Sequence, residues 1–146
     1  MSRRTSITKA IAEKLKDING ETPYNVDIQD CVYPFLKFWD EVNNFPSIYI
    51  SPGSESREYH PASFAWGFLN MSIKVYAKGD DSATKLEDLL EDVERVLDGT
   101  LGVIVYDTDN NYETTEISII SITTDEGLLA PYSVGEINIL VRYQIM

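Results

Sequence analysis

In "TSITKAIAEKLKDING" the apolar residues Ile7, Ile11, Leu15 and Ile18 return every three or four positions, the spacing that gathers them on one side of a helix. Thr5 or Ser6 is placed to cap that helix and Gly20 to stop it. A second and stronger stripe runs through "DDSATKLEDLLEDVERVLDG", where Leu86, Leu89, Leu90, Val93, Val96 and Leu97 share a face. Asp81 or Ser82 can cap it and Gly99 can end it.

Elsewhere the period changes to two. "WGFLNMSIKVYAKG" sets Leu69, Met71, Ile73, Val75 and Ala77 against Asn70, Ser72 and Lys74, and "GEINILVRYQI" sets Ile137, Ile139, Val141, Tyr143 and Ile145 against Glu136, Asn138, Arg142 and Gln144. Both patterns are those of half-buried strands. "YNVDIQD" alternates in the same way over a short run, and "SIYIS" reads as a further strand. "LGVIVY" and "YETTEISIISITT" flank "DTDNN", a turn composition, and predict a hairpin. Within it Ile117 and Ile119 keep one phase and Ile120 and Ile122 the other, which requires a bulge or burial on both faces.

Three stretches lack a period. Cys31–Phe45 mixes Tyr33, Phe35, Phe38 and Trp39 and is closed by Pro46, so an ordered loop with one helical turn is expected. "PGSESREYHPAS" carries two prolines and predicts a long mobile connection over Pro52–Ser63. "TTDEGLLAPYSVG" predicts a turn punctuated by Gly127 and Pro131, with Asp125 and Glu126 solvated and Leu128 and Leu129 anomalously apolar for a loop tip.

The order is helix, three strands, helix, three strands over 146 residues, with no repeat or linker tract. One α+β domain, residues 1–146, is expected: a mixed, mainly antiparallel β-sheet with two amphipathic helices packed on it. A chain of this length buries roughly 68–70% of the surface that its unfolded form exposes. Its amino terminus alternates charged and apolar residues, unlike the continuous apolar core of a signal peptide, and no run approaches the ~20 apolar residues of a membrane span, so a soluble protein without membrane contact is expected.

Composition narrows the chemistry. Twenty-four acidic residues against twelve basic ones give a net charge of −12, which disfavours holding phosphate backbones and is still compatible with standing beside DNA, for instance as the wall of a channel. The single cysteine, Cys31, cannot make an internal disulfide and reads as a small core residue or a reactive thiol. His60 is the one histidine, so no zinc site of the usual Cys and His kind can be assembled, and a Cys31–His60 nucleophile pair would need a proximity that nothing in the sequence provides. "DTDNNYE" starts like a calcium loop at Asp107, Asp109 and Asn111 but has Tyr112 where the sharp turn needs glycine and Ser118 where a bidentate glutamate belongs. The glycines fall singly, without a phosphate-cradling cluster. Glu87, Asp88, Glu91, Asp92 and Glu94 oppose the leucine stripe of the second helix and read as a solvated face, or as an acidic patch toward a partner or pore. No catalytic, cofactor or metal residues are assigned.

Taken in order, "FPSIYIS", a long connection, "IKVYAKG", "ATKLEDLLEDVERVL", the Ser-Ile-Thr-Thr-Asp-Glu-Gly turn with a proline soon after, and a last strand ending at an aromatic, Tyr143, resemble the tail terminator and tail-completion proteins of long-tailed bacteriophages. The resemblance covers the chain from Phe45 onward, and the amino-terminal helix agrees in kind. It implies a non-enzymatic virion protein, assembled in the host bacterial cytoplasm. Such a protein forms a ring, commonly a hexamer, on the head-proximal end of the tail tube, stops tube polymerisation and offers a surface to the head connector. Its partners would be copies of itself, the tail tube protein and the neck proteins, with DNA passing through but not specifically bound.

A ring needs one patch on each subunit to meet a different patch on the next. Tyr33, Phe35, Trp39, Tyr59, Phe64, Trp66, Leu128 and Leu129 are the candidates for that contact or for contact with a partner, since aromatics concentrate at interface centres. Three other readings stay open: another head-completion or neck protein, a dimeric small-molecule-binding α+β module with the aromatics lining a pocket, and a thiol enzyme using Cys31 and His60.

Overall fold

The computed structural model describes residues 1–145. Strand β3, Phe64–Lys78, and strand β6, Tyr132–Gln144, follow the two cleanest alternations and pair antiparallel from Trp66 to Lys78, the whole length of β6, at the centre of the sheet. The remaining elements are helix α1 (Arg3–Leu15), strands β1 (Val32–Tyr33) and β2 (Ser47–His60), helix α2 (Ser82–Gly99), and strands β4 (Val105–Asp107) and β5 (Tyr112–Thr124). Six strands lie in the order β1-β2-β3-β6-β5-β4, antiparallel throughout except for the β1–β2 pair, as an α+β reading requires.

Both helices cover one face. Under them lie Leu69, Met71, Ile73 and Val75 of β3 and Ile137, Ile139 and Val141 of β6, all buried with the α2 stripe. Each large side chain so buried stabilises the fold by about 1.5–3 kcal/mol relative to exposure. Gly135 lets α2 sit close to β6: a Cβ there would come within 3.2 Å of the Leu90 side chain.

Helix α1 packs against β2 and also against β4, although these strands are far apart in the sheet order. The sheet therefore coils around that helix, as right-handed strand twist favours. Tyr143 on β6 reaches across the concavity, its hydroxyl donating to Glu55 on β2 and its ring 6.1 Å from that of Tyr106 on β4. Gly67 makes room for it, since a Cβ there would lie 2.8 Å from the tyrosine ring.

The opposite face is crossed over part of its length by the segment between β1 and β2, including a short 3-10 turn at Trp39–Glu41. Val42, Tyr49 and Tyr76 are buried beneath it, with Tyr33, Trp39, Phe45 and Val134 around them. The Tyr76 hydroxyl donates to the Lys37 carbonyl at 2.5 Å, and burial pushes its pKa up to about 12. A phenol that stays neutral in the folded state above its ordinary pKa of about 10 contributes stability below pH ~10 and loses it as pH rises toward 12. Wild-type protein is therefore expected to lose thermal stability across that window faster than Tyr76→Phe does, and parallel slopes in melting experiments would contradict this role for the hydroxyl.

Several local expectations change. Helix α1 starts earlier, at Arg3, because the Ser2 hydroxyl accepts the Thr5 amide at 3.1 Å, and it ends at Leu15 rather than at Gly20. Ile18 stays fully buried in the turn that follows and its carbonyl accepts the Ile28 amide. The alternating Tyr24–Ile28 run is not a strand. Its Asn25 and Val26 amides donate to the Asp92 carboxylate instead of to a neighbouring chain, and the third amino-proximal strand is the short β1.

Pro52–Ser63 is not a loop either. Strand β2 continues to His60 opposite β3, absorbing Pro52 to Glu55 as an irregularity in register, and only Pro61–Ser63 turn, with Ala62 and Ser63 at positive φ. Proline and glycine are tolerated there because β1 stops at Tyr33 and leaves this part of β2 at the sheet edge. The phase switch in β5 is a bulge: the register slips between Ile119 and Ser121, so Ile117, Ile119 and Ile122 all pair with buried positions of β6.

Candidate assembly interface

The eight candidate interface residues occupy four separate places. Tyr33 and Phe35 belong to the crossing segment, with the Tyr33 ring 5.0 Å from Tyr49 and 5.6 Å from Phe35. Phe35 is half exposed and its neighbours Leu36 and Phe38 are exposed with it, Phe38 to 75%. Trp39 turns inward, 5.2 Å from Tyr132, so it serves the small second core. This segment thus splits by residue, Tyr33 and Trp39 fastening it and Phe35, Leu36 and Phe38 facing out. An open hollow of about 320 Å³ lies beside it between Leu36, Phe38, Glu41 and Lys74.

Tyr59 stands near the tip of the β2–β3 arm with 73% of its surface exposed. Phe64 and Trp66 project from the first residues of β3, half-buried, their rings edge to face at 4.9 Å, and the Arg142 guanidinium covers Trp66 at 4.7 Å. Leu128 is 84% exposed at the β5–β6 turn, whereas Leu129 is partly covered and its amide donates to Asp125 at 3.0 Å. Asp125 is no idle solvated acid, because it also accepts the Val134 amide at 3.1 Å and so shapes the turn from both sides. Glu126 and Gly127 take positive φ to complete the bend.

Cys31 and His60 are not brought together. Cys31 precedes β1, its carbonyl accepting the amide of Ile48, while His60 ends the arm twelve residues further along β2, roughly 40 Å of extended strand. His60 lies 2.9 Å from Glu58, two residues back on the same strand. Asp107 accepts two hydrogen bonds from Asn110, at 3.2 and 3.0 Å, and these hold its pKa below the usual carboxylate value; the carboxylate is engaged in shaping the hairpin turn.

The acidic face of α2 divides as well. Asp92 is fully buried and holds the Asn25 and Val26 amides at 2.9–3.0 Å, which corrects its reading as solvated. Burial raises its pKa and the backbone donors oppose that rise. Glu87, Asp88, Glu91 and Glu94 remain on the surface and rim a groove of about 530 Å³ floored by Leu90 and Ile122. Periodicity did not reveal two further exposed apolar sets, Leu101 with Val103 before β4 and Ile120 with Ile122 on β5. For the second set the sequence carried one signal, the phase opposite to Ile117 and Ile119, which marks the bulge but not the exposure.

The chain matches over residues 1–146 the family described as bacteriophage tail tube terminator protein. It is 36% identical to the tail tube terminator protein p142 of Escherichia phage T5 over 153 residues, covering 99% of this chain and 95% of that protein. A chain from the virion of a native gene transfer agent particle shares the fold at a TM-score of 0.60 and 14% identity, with 98% of this chain and 99% of the other superposed. With a family match spanning every element from α1 to β6, this chain belongs to the bacteriophage tail tube terminator proteins.

Proposed function

We propose that this protein forms a closed homo-oligomeric ring, a hexamer, on the head-proximal end of the phage tail tube, where it stops tube polymerisation and offers the joining surface to the head connector. The observation that carries the reading is the full-length relation to a tail tube terminator, 36% identity over 99% of this chain. The structure supports it through exposed apolar groups at separated places, Phe38, Tyr59, Ile120 and Leu128, a distribution suited to several contacts in a ring rather than to one ligand pocket.

In this role the protein works by shape and charge, without a chemical step. A net charge of −12 lets DNA pass a pore without adhering to the wall. The test is assembly on tubes polymerised from the tail tube protein. Tubes grown with this chain are expected to carry one ring of six copies at one end, seen by electron microscopy and counted by native mass spectrometry. Copies bound along the tube sides, or dimers alone, would contradict the ring.

A further inference from the structure

Two stretches of sheet edge lack a strand neighbour among the described residues. Strand β4 pairs only with Tyr112 and Glu113 of β5, leaving the outer side of Ile117–Thr124 open, and β1 pairs only with Ile48 and Tyr49 of β2, leaving the outer side of Glu55–His60 open. The β5 stretch reads "ISIISITT", β-branched at six of eight positions and without a charge, a proline or a glycine, and it exposes Ile120 to 59% and Ile122 to 38%. Natural sheets defend their edges with lysine, proline or a covering loop, because such segments pair readily with other chains. Among the described residues the bulge at Ile119–Ser121 is the one such device on this stretch, which leaves a partner strand as a way to cover it.

The surroundings select the partner. Beside this edge lies the groove floored by Leu90 and Ile122 and rimmed by Glu87, Asp88, Glu91 and Glu94. On β2, Arg57 and Tyr59 are opposite Gly67 and Ala65, buried positions on the helix-covered face, so their side chains belong to the same face of the sheet as that groove. The Arg57 Nε donates to the largely buried Glu55 of its own strand at 3.1 Å and still leaves 44% of the arginine side chain exposed, while Tyr59 is 73% exposed. Pairing β5 with another β5 would instead bring two acidic grooves together.

We propose that the free edge of β5, Ile117–Thr124, receives the β2 arm, Glu55–His60, of a second copy of this chain, with its Arg57 and Tyr59 entering the acidic groove over Leu90 and Ile122. The two edges belong to different strands at opposite ends of the sheet order, so the contact is head-to-tail and repeats from subunit to subunit. The inference rests on the ring reading and supplies its subunit contact.

Hydrogen exchange, measured on the monomer and on the ring seated on tubes, tests it. In the ring, outward amides in both 117–124 and 55–60 are expected to exchange more slowly than in the monomer. Ile120→Lys, at an exposed position, is expected to weaken ring formation at least about tenfold while leaving the melting temperature unchanged. A ring whose two edges exchange as fast as in the monomer would overturn the inference and leave the ring standing. Protection of 117–124 without the arm would point to a strand from the tube protein or to β5 self-pairing, and would also overturn it. Failure of wild-type protein to form any ring would remove the ring reading and this contact together.

Discussion

Asp92→Ala is expected to destabilise the protein by about 3 kcal/mol, the cost of removing a fully buried carboxylate to which two part-buried backbone amides donate. The carboxylate is fully buried on α2 and accepts from the amides of Asn25 and Val26, residues 67 and 66 positions away in sequence. It is the anchor that holds the loop after α1 against the second helix. For a chain of this size the loss corresponds to a fall in melting temperature of about 10 °C. Asp92→Asn separates hydrogen bonding from charge. Oδ2 alone reaches both amides, so an amide oxygen there retains most of the acceptor geometry. Because burial already penalises the charged form, Asn should cost well under half as much as Ala in the same melting experiment. Equal losses would show that the negative charge itself holds the loop.

Gly102→Val is expected to cost at least about 3 kcal/mol, combining backbone strain with a collision that cannot relax. Gly102 sits at φ +83°, and a Cβ there would meet the Glu116 Cα at 2.9 Å, the Ile117 amide nitrogen at 3.2 Å and the Thr115 carbonyl at 3.3 Å, all main-chain atoms of β5. Its carbonyl also accepts the Thr114 hydroxyl at 2.8 Å, while the Ile104 amide donates to that hydroxyl. This tight contact seats the segment before β4 on the first residues of β5 and so defines where the open edge begins. Gly99→Ala is the control: no atom lies within 4 Å of its added Cβ and its φ is not positive, so stability should stay level or rise slightly. A Gly102→Val protein melting within about 1 °C of wild type would show that the segment is not held as described.

These positions also show where sequence reading works. The α2 stripe, β3 and β6 were legible because each buries one face against a single neighbouring layer, so burial follows the period of the element. Tyr24–Ile28 alternates for a different reason: Val26 and Ile28 turn inward from a loop whose amides are taken by Asp92, a partner that local periodicity cannot reveal. The β2 arm carries Pro52, Gly53 and Ser54, the composition of a loop, yet it forms a strand because those residues fall at an irregular, edge position of the ladder. Asp92 itself has the spacing of the polar face, and its burial depends on a loop folding over it.

The candidate interface was legible in part for the same physical reason. Aromatic residue types pointed to the crossing segment and the arm, but an aromatic side chain carries no sign of which way it faces, and Trp39 packs inward while Phe38, one position earlier, is exposed. The open β5 edge depends on how short β4 is, which follows from pairing and not from composition. The family resemblance read from the order of motifs after Phe45 extends in fact over the whole chain, 1–146.

The most direct test of a terminator is the length distribution of tail tubes polymerised in vitro with increasing amounts of this chain, measured by electron microscopy. Growth is expected to stop at the end that carries the ring, with mean length falling as the ratio of this chain to tube protein rises and with Ile120→Lys protein failing to shorten the tubes. Tubes of unchanged length at saturating wild-type protein, still elongating from both ends, would contradict it.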